Sequence, residues 1–105
     1  MTAPTARILV VDDEPAVRTA LRVNLAKAGY DVQVTSSAEE ATEAAQGREF
    51  DVVLTDVKMP GESGLALLES IKRIQPETRV ILMTGHGSVE DAVTAMRSGA
   101  SDYII

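Results

Sequence analysis

Cysteine is absent from this chain, which removes disulfide bonds and thiolate chemistry and fits a reducing compartment. Aromatic residues are scarce, with one Phe, two Tyr and no Trp, so the core has to be assembled from Val, Ile, Leu, Ala and Met. No stretch is long and apolar enough to cross a bilayer, and residues 1–6 are too short and too polar for a signal peptide, so a cytoplasmic protein without membrane contact is the expectation. Basic clusters are missing as well. Ten Lys and Arg lie scattered among sixteen Asp and Glu, for a net charge of −6, which argues against direct nucleic-acid contact. What is present, 105 residues of which 45% are hydrophobic, supports one core and is too little for two.

The chain is organised around Phe50 to Gly61. An apolar, β-branched run from Val52 to Leu54 stops at Asp56 and gives way to Lys58-Met59-Pro60-Gly61, so a buried strand delivers a carboxylate to a turn. Asp12-Asp13 follows Ile8 to Val11 in the same relation. If the two strands are parallel neighbours, three carboxylates converge at one edge of a sheet, where open α/β folds place their chemistry. Taken alone, Asp56 reads first as a polar strand end that starts a turn, and it is the neighbouring acids that turn the reading toward chemistry.

Around this stretch strand and helix alternate. Residues 1–6 read as a flexible lead-in, and residues 7–105 as one domain. A first strand runs from Arg7 to about Asp12, and Asp13-Glu14-Pro15 starts a helix with Asp13 as N-cap and Pro near the first helical position. Val17, Ala20, Leu21, Leu25 and Ala28 mark its apolar face, and Gly29 stands just past its end. Tyr30 to Thr35 alternates as a second strand. Ser36 or Ser37, with Glu39 and Glu40, opens a second helix to about Gln46, with Ala38, Ala41 and Ala45 on one side. After the third strand, a helix carries Leu65, Leu68, Ile71 and Ile74 and closes at Gln75-Pro76. Arg79 to Thr84 is a fourth strand, ending at Gly85-His86-Gly87, where His86 reads as a loop residue without a second ligand. Ser88 with Asp91 forms a shortened capping box ahead of Val89, Ala92, Val93 and Met96, and Ser98-Gly99 ends that helix. Ser101 to Ile105 is a fifth strand. The alternation implies a parallel sheet with right-handed crossovers.

Together Asp12-Asp13, Asp56-Val57-Lys58-Met59-Pro60-Gly61, Met83-Thr84-Gly85-His86-Gly87 and Gly99-Ala100-Ser101-Asp102-Tyr103 resemble the receiver domain of two-component response regulators, over Arg7 to Ile105. The resemblance implies a doubly wound, flavodoxin-like five-stranded parallel sheet in the order 2-1-3-4-5. It implies phosphorylation of Asp56 by a sensor histidine kinase, without catalysis on other substrates. Asp12, Asp13 and Asp56, with the Lys58 backbone carbonyl, would hold Mg²⁺, and Thr84 and Tyr103 would form a switch that reshapes the helix 4/strand 5 surface, also a possible homodimer face. The segments around Thr84 and Tyr103 look most like receivers of the nitrogen-regulation type, which precede an ATPase and a DNA-reading domain. The chemistry agrees. Two carboxylates about 4 Å apart repel by roughly 4 kcal/mol at an effective dielectric near 20, and a hard divalent cation resolves such a cluster while screening a carboxylate's attack on a phosphoryl group. Asp13 can serve as N-cap, as ligand or as both.

Two departures from the family accompany this. A Lys, usually followed by Pro, is expected just after strand five, and a last helix after that; the chain stops at Ile105. The expectation is a C-terminally incomplete receiver whose output domains lie beyond, one that phosphorylates poorly and self-associates through its open edge. The competing readings are a receiver-shaped interaction module that is never phosphorylated, and an aspartyl-phosphate phosphatase. The phosphatase is disfavoured because Lys58 stands where a second Asp is needed. A flavin-binding domain is disfavoured because acid fills the loop after strand one.

Overall fold

The computed structural model describes residues 5–84 and 89–104. The readings of residues 1–4, of Gly85-His86-Gly87 and of the Ser88 capping box lie outside them. The elements follow in the order β1 (Arg7–Val11), α1 (Pro15–Lys27), β2 (Asp31–Thr35), α2 (Ala38–Gly47), β3 (Val52–Asp56), α3 (Gly64–Ile74), β4 (Arg79–Met83), α4 (Val89–Arg97) and β5 (Asp102–Ile104). All neighbouring strands are parallel and stand in the order β2-β1-β3-β4-β5. The chain therefore has the doubly wound sheet expected of it.

Local chemistry sets the boundaries. Ser37 and Ser63 cap α2 and α3, their hydroxyls accepting from the N–H groups of Glu40 at 3.1 Å and Ala66 at 3.2 Å. Gly29 and Gly99 follow α1 and α4 with φ of +99° and +102°, the left-handed conformation that ends a helix without a Cβ penalty. The start of α1 differs from expectation. Glu14, not Asp13, is its N-cap, makes no side-chain cap bond, and precedes Pro15 in the first turn. The Asp12 carboxylate has taken the local role instead, accepting the Glu14 N–H at 2.9 Å, because a strand that ends at Val11 starts the turn one residue early.

The sheet has one closed face. Leu9, Val11, Val53, Val80 and Leu82 pack with Ala38, Ala41 and Ala45 of α2 and with Leu67, Leu68 and Ile71 of α3. Leu67 is fully buried and Ile74 lies exposed at the helix end, so the face of α3 is rotated from the one its spacing implied. On α4, Ala95 is buried whereas Val93 and Met96 are about half exposed. The larger residues mark the outer side of α4, and the small one meets the sheet. α1 lies against β1 and β2 and has no fully buried residue.

The amino end of the sheet is stitched by side chains. Gln75, the residue after α3, donates to the carbonyls of Ala45 and Arg48, and its Oε1 accepts from the Phe50 N–H at 2.9 Å and the Thr78 hydroxyl at 2.8 Å. Thr78 Oγ1 also lies 2.7 Å from the Phe50 carbonyl, so its single proton serves one or the other of these acceptors. Asp51 Oδ2 accepts the Arg7 N–H at 2.7 Å, and Asp31 pairs with Arg48 at 3.3 Å and Arg7 at 3.7 Å.

Candidate functional site

The carboxyl end of the sheet carries the acids. β1 and β3 are in register with Val11 opposite Thr55, so the next residues, Asp12 and Asp56, leave their strands side by side. Asp13 follows in the turn to α1. One carboxylate oxygen from each of Asp12, Asp13 and Asp56 lies within 4.8 Å of the others. Asp12 is buried, Asp56 half-buried and Asp13 exposed, so the cluster has a fixed floor and an open mouth.

Backbone contacts fix the two strand-borne acids. Asp12 is held by its acceptance from the Glu14 N–H, by its own N–H on the Thr35 carbonyl at 3.2 Å, and by the Arg18 guanidinium on its carbonyl at 2.7 Å. Asp56 Oδ1 accepts the Lys58 N–H at 3.3 Å, and the Val57 N–H donates to the Met83 carbonyl at 3.0 Å. Neither ion pair found among the described residues involves the three acids. Partial burial pushes the Asp56 carboxyl above its ordinary range; the Lys58 N–H opposes this, and the charges of Asp12 and Asp13 add to it. A hard, oxygen-seeking divalent cation suits such a donor set, three carboxylates with more negative charge than their neighbours offset.

Lys58 is exposed in the loop that leaves β3, next to Asp56. Thr84 is buried one residue past β4 and donates its N–H to the Ile104 carbonyl at 2.9 Å. Since Asp56 stands opposite Met83, Thr84 belongs to the same edge as the acids. Tyr103 pairs with Leu82 across β4 and β5 and packs on the core cluster. Its hydroxyl oxygen is buried, because β5 turns this residue toward the closed face.

Two residues of the edge had not been read as part of it. Gly64 opens α3 so close to β3 that a Cβ there would stand 2.2 Å from the Asp56 carbonyl oxygen, and its N–H donates to the Val57 carbonyl at 2.9 Å. Its one signal in the sequence is a glycine, a poor helix former, directly after a capping serine. Glu39, read as first-turn acid, accepts the Glu62 N–H at 3.0 Å across the loop. A cavity of about 890 Å³ opens at the opposite end, lined by Arg7, Asp51, Gln75 and Thr78 among others. Arg7, Asp51, Gln75 and Thr78 are engaged in the bonds described above, whereas the acidic edge gathers three carboxylates without a cationic partner among the described ion pairs.

Comparison with known proteins agrees with this geometry. The family model "Response regulator receiver domain" matches residues 8–105. The transcriptional regulatory protein ZraR of Escherichia coli O157:H7 is 43% identical over 105 residues, covering all of this chain and 24% of that protein. The chain thus spans about a quarter of that curated relative. Among solved structures, a response regulator protein from Burkholderia pseudomallei with a phosphorylated aspartic acid, calcium ion and citrate superposes with a TM-score of 0.90 at 30% identity, over 94% of this chain and 58% of that one. The beryllofluoride-activated NtrC4 receiver domain dimer superposes with a TM-score of 0.88 at 37% identity, over 93% and 81%.

Proposed function

Because the chain belongs to the response regulator receiver family, a phosphoacceptor signalling domain and not an enzyme acting on other molecules, we propose that Asp56 accepts a phosphoryl group from the phosphohistidine of a sensor kinase. The observation that carries this is the gathering of Asp12, Asp13 and Asp56 within 4.8 Å at the carboxyl edge of the sheet. In the proposed step an Asp56 carboxylate oxygen attacks phosphorus in line, the phosphorus–nitrogen bond breaks, and the imidazole leaves and takes up a proton. The Lys58 N–H on Oδ1 orients the carboxylate. Partial desolvation raises the basicity of the carboxylate, which favours it as a nucleophile.

Asp12, Asp13, Asp56 and the Lys58 carbonyl would hold Mg²⁺. When bound, the ion supplies charge neutralisation for a negative nucleophile meeting a negative phosphoryl group. Asp12, the buried member, orients the set, and Asp13 closes its open side. The calcium and phosphoaspartate of the Burkholderia relative support this assignment.

Residues 7–105 then form the receiver unit after a lead-in of residues 1–6. Phosphorylation adds about −1.5 to −2 charge, which draws in Thr84 and biases Tyr103 and the α4/β5 surface. That surface exposes Val93, Met96 and Ile104, apolar groups suited to a homodimer of the kind named for the NtrC4 receiver. The output is transcription control by domains of a longer cytoplasmic protein, as the name of the ZraR relative supports. No helix among the described residues is long and apolar enough to cross a membrane.

Incubation with a small phosphodonor and Mg²⁺ tests the reading. Wild type should take up label that is lost with chelator and in Asp56→Asn; equal labelling of the variant would overturn it.

A further inference from the structure

The loop between β3 and α3, residues 57–63, holds Lys58 beside the acid cluster, and its own ends fix it only in part. At the start the Lys58 N–H reaches back to Asp56, and at the end the Gly64 N–H reaches back to the Val57 carbonyl. Met59 adds apolar packing against the core. The start of the loop is also tied to β4, through the Val57 N–H on the Met83 carbonyl at 3.0 Å; farther along, at Glu62, the described tether is Glu39, in the first turn of α2, whose Oε1 accepts the Glu62 N–H at 3.0 Å. Gly61 lies directly beneath it. A Cβ at Gly61 would stand 3.0 Å from the same oxygen, and the backbone there has φ +80°, so the carboxylate and the loop approach through a position fit for glycine. The bond is charge-assisted, and the Glu39 carboxyl is held below its ordinary range by its own backbone N–H and that of Glu62, so it stays an ionised acceptor across the neutral range.

We propose that Glu39 is a positioning residue for the acidic site: by clamping Gly61 and Glu62 it fixes the β3–α3 loop and with it the Lys58 backbone at the metal-binding edge. The inference rests on the Mg²⁺ reading above. Glu39 itself is exposed, touches none of the three acids among its described contacts, and contributes little to the core. Its effect should therefore appear in the site and not in global stability. Outer partners that orient metal ligands typically change metal affinity by about 10–100-fold when removed.

Calorimetric Mg²⁺ titration and amide hydrogen exchange on wild type, Glu39→Ala and Glu39→Gln give the test. Glu39→Ala should weaken Mg²⁺ binding by about tenfold and speed exchange at the Glu62 and Lys58 amides, with the melting temperature nearly unchanged. Glu39→Gln keeps an acceptor oxygen and should recover most of both. Unchanged Mg²⁺ affinity in Glu39→Ala, or a loss matched by global destabilisation, would overturn the inference while leaving the metal reading intact. A wild-type protein that ignores Mg²⁺ would instead overturn the metal reading and the inference with it.

Discussion

The two ends of the β-sheet are built on opposite electrostatic terms. At the amino end, acids and amides are paired: Asp31 meets two arginines, Asp51 holds a backbone N–H, and Gln75 uses both its amide oxygen and nitrogen to bind α2, the entry to β3 and Thr78. At the carboxyl end, three like charges are held together, one of them buried. Satisfied polar groups at one end add to the stability of the fold, and that stability offsets the repulsion left among the charges at the other. A protein selected for stability alone would not keep the second arrangement.

Substitutions can break this division or sharpen it. The largest effect is expected from Gly64→Ala, which forces a Cβ to 2.2 Å from the Asp56 carbonyl oxygen, backbone that cannot swing aside. A loss of about 3 kcal/mol or more in denaturant unfolding should come with weakened Mg²⁺ binding, because the same displacement moves Asp56. A stable Gly64→Ala protein with a normal site would show that the close approach is not needed.

Gln75→Ala comes next. It leaves the Phe50 N–H and the Ala45 carbonyl without their side-chain partner, at a cost of about 2 kcal/mol in unfolding free energy. Mg²⁺ affinity should hold, since nothing at the acidic edge is touched. Joint loss would mean that the two ends are not separable.

The smallest effect has the opposite sign. Asp56→Asn removes one of three mutually repelling charges, and in chelator at neutral pH it should stabilise the fold by about 1 kcal/mol, a few degrees in melting temperature after allowance for solvent screening. The folded-state pKa of Asp56 is raised, chiefly by burial, so the folded protein binds the proton more tightly than the unfolded chain does. Wild-type stability therefore falls as pH rises from the ordinary value of 3.8 through the raised one. The advantage of Asn should vanish in acid and grow as the pH passes through that window. Mg²⁺ should raise the melting temperature of wild type more than that of the variant. An Asn variant less stable than wild type in chelator would contradict the account of this edge.

Much of the architecture was legible because it is written in local pattern. β-branched runs at Ile8 to Val11 and Val52 to Leu54, the serine that caps α2, and glycines after α1 and α4 each act over a few residues, so alternation could be read without tertiary information. The faces of α3 and α4 were less legible. Ile74 and Met96 are as apolar as the residues that are buried, and only the position of each helix on the sheet decides that Leu67 and Ala95 point inward. Asp13 likewise satisfied the composition rule for an N-cap. The end of β1 shifted the cap to Glu14 and left Asp13 with the cluster.

What the amino-acid order determined by itself was the set of strand-then-acid units, since an apolar run followed by a carboxylate and a turn fixes both the element and where it stops. Tertiary structure alone decided which units became neighbours. The crossover from β2 past β1 to β3 places Asp56 beside Asp12, 44 positions apart in sequence, and brings Glu39 over Glu62. Such pairings depend on strand order and register, which come from how the helices cover the sheet and not from any local preference of the residues that meet.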